Sequence, residues 1–305
     1  MSLSDKVIIE VGLNEGQRRE ANPHTAYSPS EIADDAKACY EAGAAVVHYH
    51  GRDPVTGAAL SNDPRVNVEA QRLITQSTPL IAYPTYASHV RVLDWYDIGG
   101  PAAERYAHIV AGVKAGVKYE LAPVDLGIVD RNAMRDPRSG KWSLSRGGLL
   151  NTGEDHEWLL DFCRKHSLKP TFAAFDVSHL RNLRNLVDMG MAGGQPLVLK
   201  LFLTEHEFAS KTLLFSIERL RDLGLGSTSW MPLAYGCDQF PLAASSLAMG
   251  GHVRVGIGDY AYRELGCPTN ASLVQRAVSM ARAIGREPAT PDEARRIMRI
   301  GQAWE

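Results

Sequence analysis

The sequence has few cysteines, no block of one charge sign and no long apolar stretch, and each lack removes a class of function. Its four cysteines, Cys39, Cys163, Cys237 and Cys267, are scattered through 305 residues with no C-x-x-C pair. That spacing builds neither a disulfide framework nor a thiolate metal site, so reduced, buried thiols are expected. With 33 Lys+Arg against 35 Asp+Glu, a formal charge of −2, there is no basic block to bind DNA, RNA or an anionic membrane surface. No nucleic-acid partner is expected. The apolar runs fall far short of the roughly 20 residues that cross a bilayer, and the first residues, Met1 to Lys6, lack an apolar signal core. A cytoplasmic protein without a membrane segment is expected. The glycine-rich phosphate-binding motifs G-x-G-x-x-G and G-x-x-x-x-G-K-[ST] are absent too.

What is present is alternation. Short β-branched runs recur between longer helix-period segments, the pattern of βαβ units around a parallel sheet. Eight strands are expected: Lys6–Val11, Ala45–His50, Leu80–Tyr83, Val117–Leu121, Pro170–Phe175, Leu197–Phe202, Thr228–Leu233 and His252–Ile257. Ser28-Pro29-Ser30-Glu31 reads as a capping box with proline in the first turn, and Thr290-Pro291-Asp292-Glu293 repeats it ahead of a last helix to about Arg299. Eight strand–helix units in this length fit a (β/α)8 TIM barrel, an α/β fold, as a single domain over residues 1–305. Insertions of Ser88–Gly100 and Gly127–Asn151 follow strands three and four, on the rim where such a barrel shapes its substrate site, and Arg131–Gly148 reads as a mobile flap.

Strand two ends His48-Tyr49-His50. Side chains alternate along a strand, so both imidazoles point the same way, into the mouth of the barrel. There they can share a divalent metal, zinc by default with iron, cobalt or nickel also suited, or be a pair of satisfied core histidines. A metal would need a third ligand, a carboxylate, from another strand end. Arg254 falls on the inner face of strand eight, with Gly256 and Gly258 on the same face and Asp259 at the rim. An inward guanidinium requires an anion: a substrate carboxylate, or Asp259 or Glu120 in a structural ion pair. Other strand ends supply Asn14 and Glu15, Thr85 and Ser88, Glu120 and Asp125, Asp176, Tyr235 and Asp238. Of these, Asn14, Glu15, Thr85, Ser88 and Glu120 are expected to bind substrate, while Asp176 also suits a helix cap.

Read in order, Asn22-Pro23, Ser28 to Ala33, Ala42 to Pro54, Phe175-Asp176, Gly250 to Gly256 and Ala289 to Arg295 resemble the β-keto acid cleavage enzymes, nearly end to end. The resemblance implies a zinc-dependent barrel, usually a homotetramer, that condenses a β-keto acid with acetyl-CoA to give acetoacetate and a new acyl-CoA. It puts the metal on His48 and His50, the strand-eight arginine on Arg254 and the catalytic base on Asp259. Two implied carboxylates are missing. A third zinc ligand, expected directly before the aspartate, is Gly258, and a strand-five glutamate is Ala173, leaving Glu120 or Asp259 as the nearest replacements by strand order. Two other functions remain open from the sequence: a metal-assisted lyase or aldolase that uses no CoA, and a catalytically degenerate ligand-binding barrel.

Overall fold

Runs rich in Val, Ile and Leu form buried strands, and the segments between them, several opened by Ser, Thr or Asp caps, form helices. The computed structural model describes residues 2–87, 90–93, 96–99, 101–130, 148–203, 209–302 and 304. Eight parallel barrel strands run in order: β1 Ile9–Gly12, β2 Val46–Tyr49, β3 Ile81–Pro84, β4 Leu121–Asp125, β5 Lys169–Ala174, β6 Val198–Phe202, β7 Ser229–Leu233 and β8 Val253–Val255. One ladder pairs β8-β1-β2-β3 and the other pairs β4-β5-β6-β7. The ladders meet where β3 packs on β4 and β7 on β8, and the His252 N–H donates to the Trp230 carbonyl at 3.0 Å across the second junction. The expected (β/α)8 barrel is the fold.

Around it lie α1 Pro29–Ala42, α2 Pro64–Ser77, α3 Ala107–Lys114, α4 Gly153–Lys165, α5 His179–Asp188, α6 Ala209–Asp222, α7 Phe240–Ala248, α8 Asn270–Ala283 and α9 Pro291–Met298. Ser28 and Thr290 both form full capping boxes, with Glu31 and Glu293. The last helix seals one end of the barrel. Ala294 and Met298 join Ile8, Val46, Ile81, Leu121, Val198 and Met231 in one buried cluster, which leaves the C-terminal strand ends as the open face. The insertions after β3 and β4 each hold an antiparallel pair, Val90–Leu93 with Tyr96–Gly99 and Ile128–Asp130 with Gly148–Leu150. Nearly all of the expected Arg131–Gly148 flap, and Ser88, lie outside the described residues. All four cysteines are free, with Cys39 and Cys163 buried and Cys237 and Cys267 partly buried. No described helix is long and apolar enough to cross a membrane.

One strand begins four residues later than the sequence suggests. Val117-Lys118-Tyr119-Glu120 carries the β-branched and aromatic residues, yet it leads into β4, which starts at Leu121 and contains Pro123. At roughly 3.3 Å per residue, the shift moves Glu120 from the rim to the sealed end of the barrel. There its carboxylate accepts from Arg295 of α9 at 2.7 and 2.8 Å, with Lys118 Nζ at 3.1 Å. Glu120 is therefore neither at the substrate site nor near the histidines, and Asp125 takes the rim position.

Candidate active site

The open face holds a cavity of about 550 Å³, lined by His48, His50, Thr85, Asp125, Arg254 and Asp259 among others. Alternation along β2 builds one wall. His48 and His50 face the cavity while Tyr49 turns outward, its hydroxyl donating to the Asn67 carbonyl at 2.9 Å. Burial, then His50 and Lys200, hold the His48 pKa well below the ordinary histidine value; burial, then Arg52 and His108, push His50 down to about 3. Both shifts favour the neutral ring, the form in which an imidazole nitrogen can ligate a metal. Asn14 fixes the backbone of His50. It accepts from the His50 N–H at 2.9 Å and donates to the His50 and Ala26 carbonyls at 3.0 and 2.9 Å. Expected at the substrate, Asn14 is instead wholly buried with its amide committed to backbone, so it positions His50.

Beneath the histidines lies a layer of buried charge. Arg254, 2% exposed, donates from Nε and Nη2 to the two Asp259 oxygens at 2.9 and 2.8 Å, from Nη1 to Glu10 Oε1 at 2.9 Å, and from Nη2 also to Glu15 Oε1. Burial works against its charge, but Asp259 and Glu10 outweigh it and raise its pKa. Glu10 Oε1 also accepts from the Tyr83 hydroxyl at 2.6 Å and pairs with Lys200 Nζ at 3.2 Å. Lys200 lies 4.1 Å from the Tyr83 ring and lines the cavity. Burial lowers its pKa and Glu10 opposes that shift. Such clusters rarely maximise stability, because desolvating each ion costs several kcal/mol, and this one opens onto the cavity through Lys200, Arg254 and Asp259.

Glu15, from the loop after β1, reaches the same point as the histidines. Its Oε1 lies 3.5 Å from His48 Nε2 and its Oε2 3.8 Å from His50 Nε2. Both spans are longer than an ordinary hydrogen bond. Two ligands about 2.1 Å from a tetrahedral zinc lie roughly 3.4 Å apart, so the three groups are spaced to face one divalent cation. Among the described residues they are the one group of three His, Cys, Asp or Glu residues placed to do so. The replacements expected for the missing carboxylate do not serve: Glu120 is at the other end, and Asp259, paired with Arg254, falls outside the group that faces one point.

The sequence matches the profile of the β-keto acid cleavage enzymes over residues 6–300. The chain belongs to this family. Curated relatives agree. A 3-keto-5-aminohexanoate cleavage enzyme of Acetoanaerobium sticklandii is 28% identical over 93% of this chain and 94% of its own. A 3,5-dioxohexanoate:acetyl-CoA acetone transferase of Paraburkholderia graminis is 26% identical over 92% and 90%. In fold, the chain is similar to ObcA in a ternary complex with a C4-CoA adduct and oxalate, with a TM-score of 0.69 at 17% identity over 91% of this chain and 68% of ObcA.

In this β-keto acid cleavage enzyme, Glu15, His48, His50, Thr85, Arg254 and Asp259 share one cavity with Asp125 and Tyr235. Asp176 and Asp238 stand apart. Each accepts from a backbone N–H two residues on, at 2.7 Å from Ser178 and 2.9 Å from Phe240, as residues at helix starts do. Glu10 and Lys200 were missed by sequence reasoning, although each is a lone charge inside an apolar strand run, the signal that singled out Arg254.

Proposed function

We propose that the enzyme condenses a β-keto acid with acetyl-CoA at this cavity, releasing acetoacetate and a new acyl-CoA, with zinc held by His48 and His50. The observation that carries the reading is that the histidine pair and the Arg254–Asp259 pair open into one cavity at the C-terminal strand ends. When bound, zinc supplies a Lewis acid that polarises the β-keto carbonyl and acidifies the adjacent C2 protons. Asp259, on the cavity wall and oriented by Arg254, accepts one of those protons. The C2 carbanion attacks the acetyl-CoA carbonyl and expels the CoA thiolate. That thiolate adds to the original keto carbonyl, the bond from that carbon to C2 breaks, and acyl-CoA leaves. The electron pair stays on C2, which takes the proton back from Asp259 to give acetoacetate.

Charge supports the assignment. Glu10, Glu15 and Asp259 against Arg254 and Lys200 sum to −1; a divalent cation makes +1, and one substrate carboxylate makes 0. Lys200 has ammonium protons beyond the one directed at Glu10, so it is the cation for that carboxylate, with Thr85 at the rim. The family resemblance supports a homotetrameric, cytoplasmic enzyme, and light scattering tests the assembly. The decisive assay incubates zinc-loaded enzyme with acetyl-CoA and a panel of β-keto acids. Acetoacetate appearing only with both substrates supports the reading; no product from any keto acid refutes it. Product without acetyl-CoA would favour a lyase.

A further inference from the structure

We propose that Glu15 is the third protein ligand of the metal. The inference rests on the metal reading above and names the group that completes it. A Cβ built on Gly258 would lie 2.9 Å from Glu15 Cγ, 2.7 Å from the Gly12 carbonyl oxygen and 3.0 Å from the Asn14 N–H nitrogen. Contact with the β1 loop, not backbone conformation, is what excludes a side chain. Position 258 therefore supplies no ligand, and the carboxylate beside the histidines is that of Glu15.

The surroundings hold Glu15 for that task. Its side chain is 5% exposed, with one oxygen toward each histidine. Arg254 donates to Oε1, fixing the carboxylate as outer partners of metal ligands do. The carrying loop is tied down twice. Asn14 clamps it to the backbone of His50, and Asn270 donates to the Leu13 carbonyl at 2.9 Å while accepting from the Ile257 N–H at 2.8 Å, which locks the β1 and β8 loops together. Two imidazoles and one carboxylate leave a tetrahedral metal one position for substrate.

Cobalt(II) titration followed by its visible absorption bands, with zinc content by elemental analysis, tests the assignment without using activity. The native enzyme should bind about one ion per chain, and His48→Ala should lose it. Glu15→Gln should weaken binding by on the order of 100-fold or more and shift the bands, whereas Asp259→Asn should keep both. Circular dichroism checks folding; if Glu15→Gln does not fold, Glu15→Asp serves, and bands shifted by the shorter side chain support the proposal. Native affinity and native bands in the Glu15 variant, with the metal still lost in His48→Ala, would overturn the Glu15 assignment alone. No metal in the native enzyme would overturn the zinc reading itself.

Discussion

Changing Asp259 to Asn should remove most of the activity while leaving the fold nearly as stable as before. The two Asp259 oxygens take Arg254 Nη2 and Nε at 2.8 and 2.9 Å. An amide retains one acceptor, so one charge-assisted hydrogen bond is lost, at about 1.5–3 kcal/mol. Against that, the buried cluster holds three carboxylates and two cations, and the substitution takes its net charge from −1 to 0. Asp259 and Glu10 share one guanidinium, and relief of like-charge repulsion between two such neighbours at an effective dielectric near 20 is on the order of 3 kcal/mol. The two terms nearly offset, and stability should change by no more than about 1–2 kcal/mol. Catalysis has no such offset. Loss of the proton acceptor should cost on the order of 100-fold to 10,000-fold in turnover, or about 3–5.5 kcal/mol of barrier. Acetoacetate release measures the whole reaction, and proton NMR in deuterium oxide without acetyl-CoA measures C2 exchange alone. Exchange at the native rate in Asp259→Asn would refute the assignment of the base, and so would an activity loss that merely follows unfolding in a denaturant titration.

Further expectations test neighbouring parts of the argument. Lys200→Met should raise KM for the keto acid by roughly tenfold or more, with metal content unchanged, because Glu10 keeps Arg254 and Tyr83 while the substrate carboxylate loses its cation; an unchanged KM assigns that carboxylate elsewhere. Glu120→Gln should leave kcat/KM and metal content untouched and cost about 1–2 kcal/mol of stability through Arg295, which steady-state kinetics and urea unfolding check together. Burial raises the Asp35 pKa from 3.8 to about 7, partly opposed by the Asn270 amide. The folded protein then binds the extra proton more tightly than the unfolded chain, so this contribution is complete below about pH 4 and is lost as pH rises through about 7. Asp35→Asn should flatten that slope in melting temperature against pH, and an unaltered slope would rule out Asp35 as its origin.

Much of the barrel could be read along the chain because its determinants are local. Capping residues act within three positions, which is why the Ser28–Glu31 and Thr290–Glu293 boxes form where the sequence puts them. Strand alternation acts over two, which is why His48 and His50 share a face. The fourth strand failed on the same grounds. Val117 and Tyr119 carry the residue types of a strand, but packing begins the ladder at Leu121, and Glu120 went to the wrong end of the barrel with the misplaced boundary.

The sequence by itself determined the eight strand–helix units, the paired histidines, the inward arginine and the family, since each rests on residue type and short-range spacing. The tertiary structure alone decided which carboxylate meets which cation. Glu15 and His48 are 33 positions apart, Glu10 and Arg254 are 244 apart, and no periodicity links them. Barrel closure sets β8 beside β1 with Arg254 opposite Glu10 and brings the loop after β1 over the histidines. An ion's partner depends on separations of a few ångströms, and only the folded chain fixes those.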